Sequence, residues 1–181
     1  FGAGFALGVL LQAGLRPGGT PAVPPAAPAA QTPAIRLPAP AELQAAEELR
    51  AHLEHAPDDV LARTRLANAL FDMGNYREAA FHYELVLRLQ PDNPDVRTDL
   101  GIAYRNTDRP QEAVAAFRRA IQSSPDHRNA HYNLGVVLAH DLGDASDAVA
   151  AWERYLELAP DAPNSADVRR SIQELRQRPG P

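Results

Sequence analysis

The chain has 181 residues, 45% hydrophobic and 23% charged, the balance of a globular domain with accessory segments. It contains no cysteine, which excludes disulfides, thiolate-held clusters and a cysteine nucleophile. The formal charge is −5 and every basic residue is arginine; this argues against nucleic-acid binding, which needs a basic face against phosphates.

Residues 1–15, FGAGFALGVLLQAGL, carry no charge and one polar side chain, Gln12. As a helix they would cover about 22 Å, short of the roughly 30 Å hydrocarbon core. Because the chain opens on Phe1 and its one methionine is Met73, the segment is expected to be the distal part of a membrane helix whose upstream residues are missing. Gly4 and Gly8, four apart, would let another helix approach closely. A cleaved signal peptide and a processed N-terminus are the competing readings. Arg16 and Pro17-Gly18-Gly19 end the run, and residues 16–40 are rich in Pro and Ala. That composition predicts an extended polyproline-type linker, unable to build a core. Few arginines follow the apolar run, so the C-terminal side is placed outside the cytoplasm, in the periplasm of a bacterium.

Residues 41–56 predict a helix with Ala45, Leu49 and Leu53 along one stripe. From there the chain repeats. Pro57, Pro91, Pro125 and Pro160 stand 34, 34 and 35 residues apart, with one extra residue near 141–144. Each unit reads as two amphipathic helices, A and B, joined by a short turn. Leu66-Ala67, Leu100-Gly101 and Leu134-Gly135 hold the same two places in helix A, followed by Leu70, Tyr104 and Leu138. In helix B, Ala79, Ala113 and Ala148 precede Tyr83, Phe117 and Trp152 by one turn. Each proline stops helix B. Residues 165–178 set Val168, Ile172 and Leu175 on one stripe and arginines on the other, the polar-backed cap a repeat stack needs.

This pattern over 57–160 resembles the tetratricopeptide repeat family. The resemblance implies an all-α solenoid of three helical hairpins between an N-terminal cap, 41–56, and a C-terminal cap, 161–178. Two departures stand out. Arg63, Arg97 and His131 occupy a place usually held by tryptophan, and Val86 and Tyr155 occupy one usually held by a small residue. In such domains helix A lines the concave surface. By register the residues offered there are Thr64, Arg65, Asn68 and Phe71, then Thr98, Asp99, Ile102 and Arg105, then Asn129, Tyr132, Asn133 and Val136. A groove of amides, aromatics and two arginines suits an extended peptide or a helix, with Arg65 or Arg105 pairing a carboxylate. The carboxylate clamp of chaperone cochaperones is absent: Asn68 matches it, whereas Thr64, Asp99, Asn129 and Asn133 do not.

No phosphate loop, zinc-protease motif or nucleophile elbow is present. His127 and His131, and His52 and His55, have spacings that could face two imidazoles together, yet no third ligand lies near in sequence, and both pairs are read as structural. No metal, cofactor or catalytic residue is expected. The sequence therefore predicts a membrane-tethered, non-catalytic scaffold that binds protein partners, as an accessory or assembly subunit of a membrane-associated complex. The alternative is a periplasmic peptide- or client-binding factor, similar in layout to the repeat factors of c-type cytochrome maturation.

Overall fold

Helix starts follow the local chemistry of orphan backbone donors. In the computed structural model, which describes residues 37–177, α1 spans Pro40–His55, α2 Val60–Asp72, α3 Tyr76–Leu89 and α4 Pro94–Arg105. They are followed by α5 Pro110–Ser123, α6 Arg128–Val137, a π-turn Leu138–Leu142, α7 Ala145–Leu158 and α8 Ser165–Gln177. Asp59, Asn93 and Asp144 cap α2, α4 and α7, each accepting from the backbone N–H three residues on at 3.0–3.1 Å. Pro40, Pro94 and Pro110 sit in first turns, where their missing N–H costs nothing. Pro40 thus belongs to the first helix, one residue inside the expected linker. The rest of that linker up to residue 36, and the expected membrane helix with Gly4 and Gly8, lie outside the described residues. Among the described residues no helix is long and apolar enough to cross a membrane.

The hairpins close where the sequence places small residues opposite rings. A Cβ added at Gly101 would stand 2.5 Å from Cε1 of Phe117, and one at Gly135 would stand 2.4 Å from the Trp152 ring. Glycine is therefore required by packing at these two positions, since the helix pairs α4/α5 and α6/α7 leave no room for a methyl group. In the first hairpin Ala67 holds the same place, and both it and Tyr83 are buried. The core runs as three clusters along the stack. Leu66, Leu70, Tyr83, Val86 and Leu100 anchor the first, Phe117, Leu134, Val137 and Ala148 the second, and Trp152, Tyr155, Val168 and Ile172 the third.

Each A–B turn needs one left-handed residue. Gly74 and Gly143 supply it in the first and third hairpins, and Asp108 supplies it in the second, at φ 56°. The closing bond is equivalent in all three: Asn75 N–H donates to Leu70 O, Arg109 N–H to Tyr104 O and Asp144 N–H to Leu138 O, at 2.8–3.0 Å. In the third hairpin that bond spans one more residue. The extra residue is wound into the π-turn 138–142, so the loop does not lengthen.

The two departures from the repeat pattern have structural reasons. Arg63 and Arg97 donate to the carbonyls of Pro57 and Pro91, and His131 Nε2 donates to that of Pro125 at 2.8 Å. Arg169 of α8 does the same to Pro160 at 2.9 Å. A polar side chain on the incoming helix thus latches each inter-repeat proline. Tyr155 is large because it closes the stack on the C-terminal cap: its hydroxyl donates to Asn164 Oδ1 at 2.5 Å, and its ring lies 5.2 Å from that of Tyr132.

Candidate partner-binding face

With 3.6 residues per turn, 95, 99, 102 and 106 fall on one side of α4, and 97, 100 and 104 fall on the other. The first side, continued by α2 and α6, is the face expected to receive a partner. Arg65 and Asn68 are exposed on α2. Asn68 Oδ1 accepts from the Tyr83 hydroxyl at 2.8 Å, which orients the amide and leaves its N–H groups without a partner among the described residues. Phe71 is half-buried, its ring edge-on to Tyr76 with centroids 5.0 Å apart.

On α4 the arrangement differs from the expectation. Thr98 is only 3% exposed, and its hydroxyl donates to Pro94 O at 2.8 Å, so it supports the wall of the face and offers no contact. Ile102 packs against the second core cluster. Arg105 is held by Asp141 through Nε at 2.5 Å and a second nitrogen at 3.2 Å, so its charge is already matched. Asp141 lies in the π-turn created by the inserted residue, a placement that one-repeat register arguments could not reveal.

The group left unpaired on α4 is Asp99. No hydrogen bond or ion pair reaches its carboxylate among the described residues. Burial, with Asp95 and Asp72 nearby, pushes its pKa up to about 6. The same neighbourhood, burial first and then Asp99 and Asp72, raises the Tyr83 hydroxyl and keeps it neutral as the donor to Asn68. The α2–α4 half of the face is therefore polar and acidic, with Arg65 as its exposed cation.

The α6 half is tied to the cap. Tyr132 and Val136 are half-buried against the third core cluster, and Trp152 Nε1 donates to Tyr132 O at 3.1 Å. Asn133 donates back to Asn129 O at 2.8 Å, leaving its Oδ1 for a partner. The face thus grades from carboxylates and amides on α2 and α4 to aromatic and aliphatic edges on α6. The structure brings Arg65, Asn68, Ile102, Tyr132, Asn133 and Val136 to it as side chains with accessible surface, and it diverts Thr98 and Arg105.

The histidines are dispersed. His131 latches Pro125, His52 pairs with Asp59 at 2.8 Å, and His127 buries an unpartnered Nε2 3.8 Å from Asp95. Among the described residues no group of three or more His, Asp or Glu side chains could hold a metal ion. The chain's own residues present surfaces and hydrogen-bonding groups, with no nucleophile–base pair on this face.

The family described as tetratricopeptide repeat matches residues 60–93 and 98–163. The cytochrome c-type biogenesis protein CycH of Bradyrhizobium diazoefficiens is 32% identical over 129 residues, 69% of this chain and 35% of that protein. The chain spans between 14% and 35% of the length of the first curated relatives it matches. Among solved structures, MamA superposes with a TM-score of 0.68 at 23% identity over 73% of this chain and 75% of that one. The Yersinia enterocolitica type III secretion chaperone SycD, in complex with a peptide of the translocator YopD, superposes at 0.62 and 15% identity, over 66% and 93%. Both likenesses speak to the fold.

Proposed function

The chain carries tetratricopeptide repeats over residues 60–93 and 98–163, and from that premise we propose that it is a non-catalytic scaffold whose α2–α4–α6 face receives a segment of a partner protein. Repeats of this family mediate protein–protein interaction, and the observation that carries the reading here is the face itself. Asp99 is unpaired there, and Asn68 and Asn133 each keep one side of an amide free. The two amides are pre-ordered by Tyr83 and Asn129, so little side-chain entropy is lost when a partner's backbone binds them. With Arg105 neutralised by Asp141, the charged centre of the face is a carboxylate. The favoured segment presents an arginine or lysine toward Asp99 and an apolar side chain toward Ile102 and Val136.

In the fuller proposal the chain is an accessory or assembly subunit of a membrane-associated complex, with its repeats in the periplasm. The apolar run 1–15 and the few arginines after it support that placement. A second reading is favoured by the similarity to CycH: a binder of exchanging client segments. Photocrosslinking separates them. A crosslinking residue at Asn68, Ile102 or Asn133 of the native chain, in membranes solubilised with mild detergent, is expected to capture the same companions at constant ratio. A changing population at low occupancy would support client binding. Capture from Arg170 on the cap but from none of the three face positions would refute the face.

A further inference from the structure

The opposite side of α4 carries a second feature that the partner-binding face does not explain. Arg97 of α4 and Arg119 of α5 together line two adjoining cavities, of about 240 and 360 Å³. Neither guanidinium has a carboxylate within ion-pair distance among the described residues. Glu112, at the rim of the smaller cavity, is taken by Arg109 at 2.7 Å, and Asp92, at the rim of the larger, is exposed to solvent. Burial first, and then the charge of Arg119, holds the Arg97 pKa below the ordinary arginine range. Two like charges are thus held together, one of them partly desolvated, and an anion placed between them would relieve both. Beside them the smaller cavity is floored by Leu100 and Ala116, edged by the exposed Ala115 and walled by Tyr104. The Tyr104 ring is fixed there by its hydroxyl bond to Glu84 at 2.7 Å and by Arg109 stacked 4.3 Å from its centroid. On the first hairpin the register positions of Ala115 and Ala116 are held by the larger Phe81 and His82.

We propose that the groove between α4 and α5 is a second docking site, for a peptide segment of a partner protein that sets an acidic side chain between Arg97 and Arg119 and an apolar side chain over Leu100, Ala115 and Ala116. Charge complementarity selects the acidic group. The apolar floor beside the arginines distinguishes such a segment from a bare anion, which would leave that floor uncovered. The site also has the opposite sign to the Asp72–Asp95–Asp99 face, so one solenoid can hold two partners of unlike charge without competition.

The test uses the full chain and a fluorescent peptide with blocked ends in which leucine and glutamate alternate, read by anisotropy. Arg119 is exposed and its side chain makes no bond in the structure, so Arg119→Glu leaves the fold intact, which circular dichroism checks. That variant is expected to raise Kd at least about tenfold, the loss typical of one charge-assisted hydrogen bond. Ala115→Trp, which fills the apolar cavity from its exposed rim, is expected to weaken binding as well, as is a peptide with glutamine in place of glutamate. Arg170→Ala, which removes an exposed arginine on the cap helix away from both faces, is expected to leave Kd unchanged. An unchanged Kd in Arg119→Glu would overturn the site. Full displacement of the probe by inorganic phosphate, with Ala115→Trp without effect, would overturn the peptide occupant in favour of a simple anion site.

Discussion

Replacing Asp99 with asparagine keeps the shape of the side chain and removes a charge that nothing in the structure matches. The ordinary aspartate value is 3.8, and the folded protein raises it to about 6. A raised carboxylate pKa means that the folded state binds the proton more tightly than the unfolded chain. Stability is therefore highest below the unfolded value and falls as pH rises through the folded one, between about 4 and 6. At 1.36 kcal/mol per pKa unit the shift corresponds to about 3 kcal/mol. The carboxylate keeps some access to water, which screens it, and roughly 1–2 kcal/mol is the expected cost at neutral pH. Asp99→Asn should recover that amount, raising Tm by about 2–8 °C at pH 7.5. At pH 4, where the wild-type group is protonated, the variant should have almost no effect. Urea unfolding at pH 4 and pH 7.5, with wild type and variant side by side, reads both numbers. An equal effect at the two pH values would refute the electrostatic reasoning, and destabilisation at pH 7.5 would show that the carboxylate has a partner in solution. A gain in stability coupled to loss of crosslinking at Asn68 and Ile102 would identify Asp99 as a charge kept for binding at the expense of the fold.

Gly101→Ala places a methyl group within 2.5 Å of the Phe117 ring; the hairpin must open or the ring must leave its rotamer, and a loss of about 1–3 kcal/mol in denaturant unfolding is expected. The double variant Gly101→Ala with Phe117→Leu, which removes the obstructing ring edge, should lose less than the sum of the two single changes, and strict additivity would contradict a direct clash. Arg105→Ala breaks an ion pair in which both partners remain partly exposed, so it should cost less than about 1 kcal/mol, and less still in 1 M salt. A larger, salt-independent loss would mean that Arg105 acts through its aliphatic stem.

The solenoid was legible in the chain because its determinants recur. A small residue facing a ring, with a proline 34 or 35 residues from the last, repeats the same local solution three times, and each copy corroborates the others. Helix starts have an equally local cause, seen once the structure is in hand: Asp59, Asn93 and Asp144 sit where an orphan N–H needs a side-chain oxygen. The face of α2, α4 and α6 follows from the resemblance to tetratricopeptide repeats, with helical register choosing its residues. Which of its residues are free does not, because that is decided by neighbours distant in sequence. Arg105 is neutralised by Asp141, 36 residues away, and only the π-turn that absorbs the inserted residue brings Asp141 within reach. Thr98 turns its hydroxyl back to Pro94 and is covered, although register alone places it beside Asp99. The latches from Arg63, Arg97 and His131 had a sequence signal, a polar residue six places after each proline, whereas Arg169 stands nine places after Pro160; in all four the partner is a backbone carbonyl, and a carbonyl has no letter in a sequence. Periodicity thus determined the architecture, since local geometry repeats it. Tertiary packing alone decided which unpaired charges are partly desolvated, Asp99 and Arg97 beside Arg119, because pairing and desolvation depend on what lies across the interface between helices.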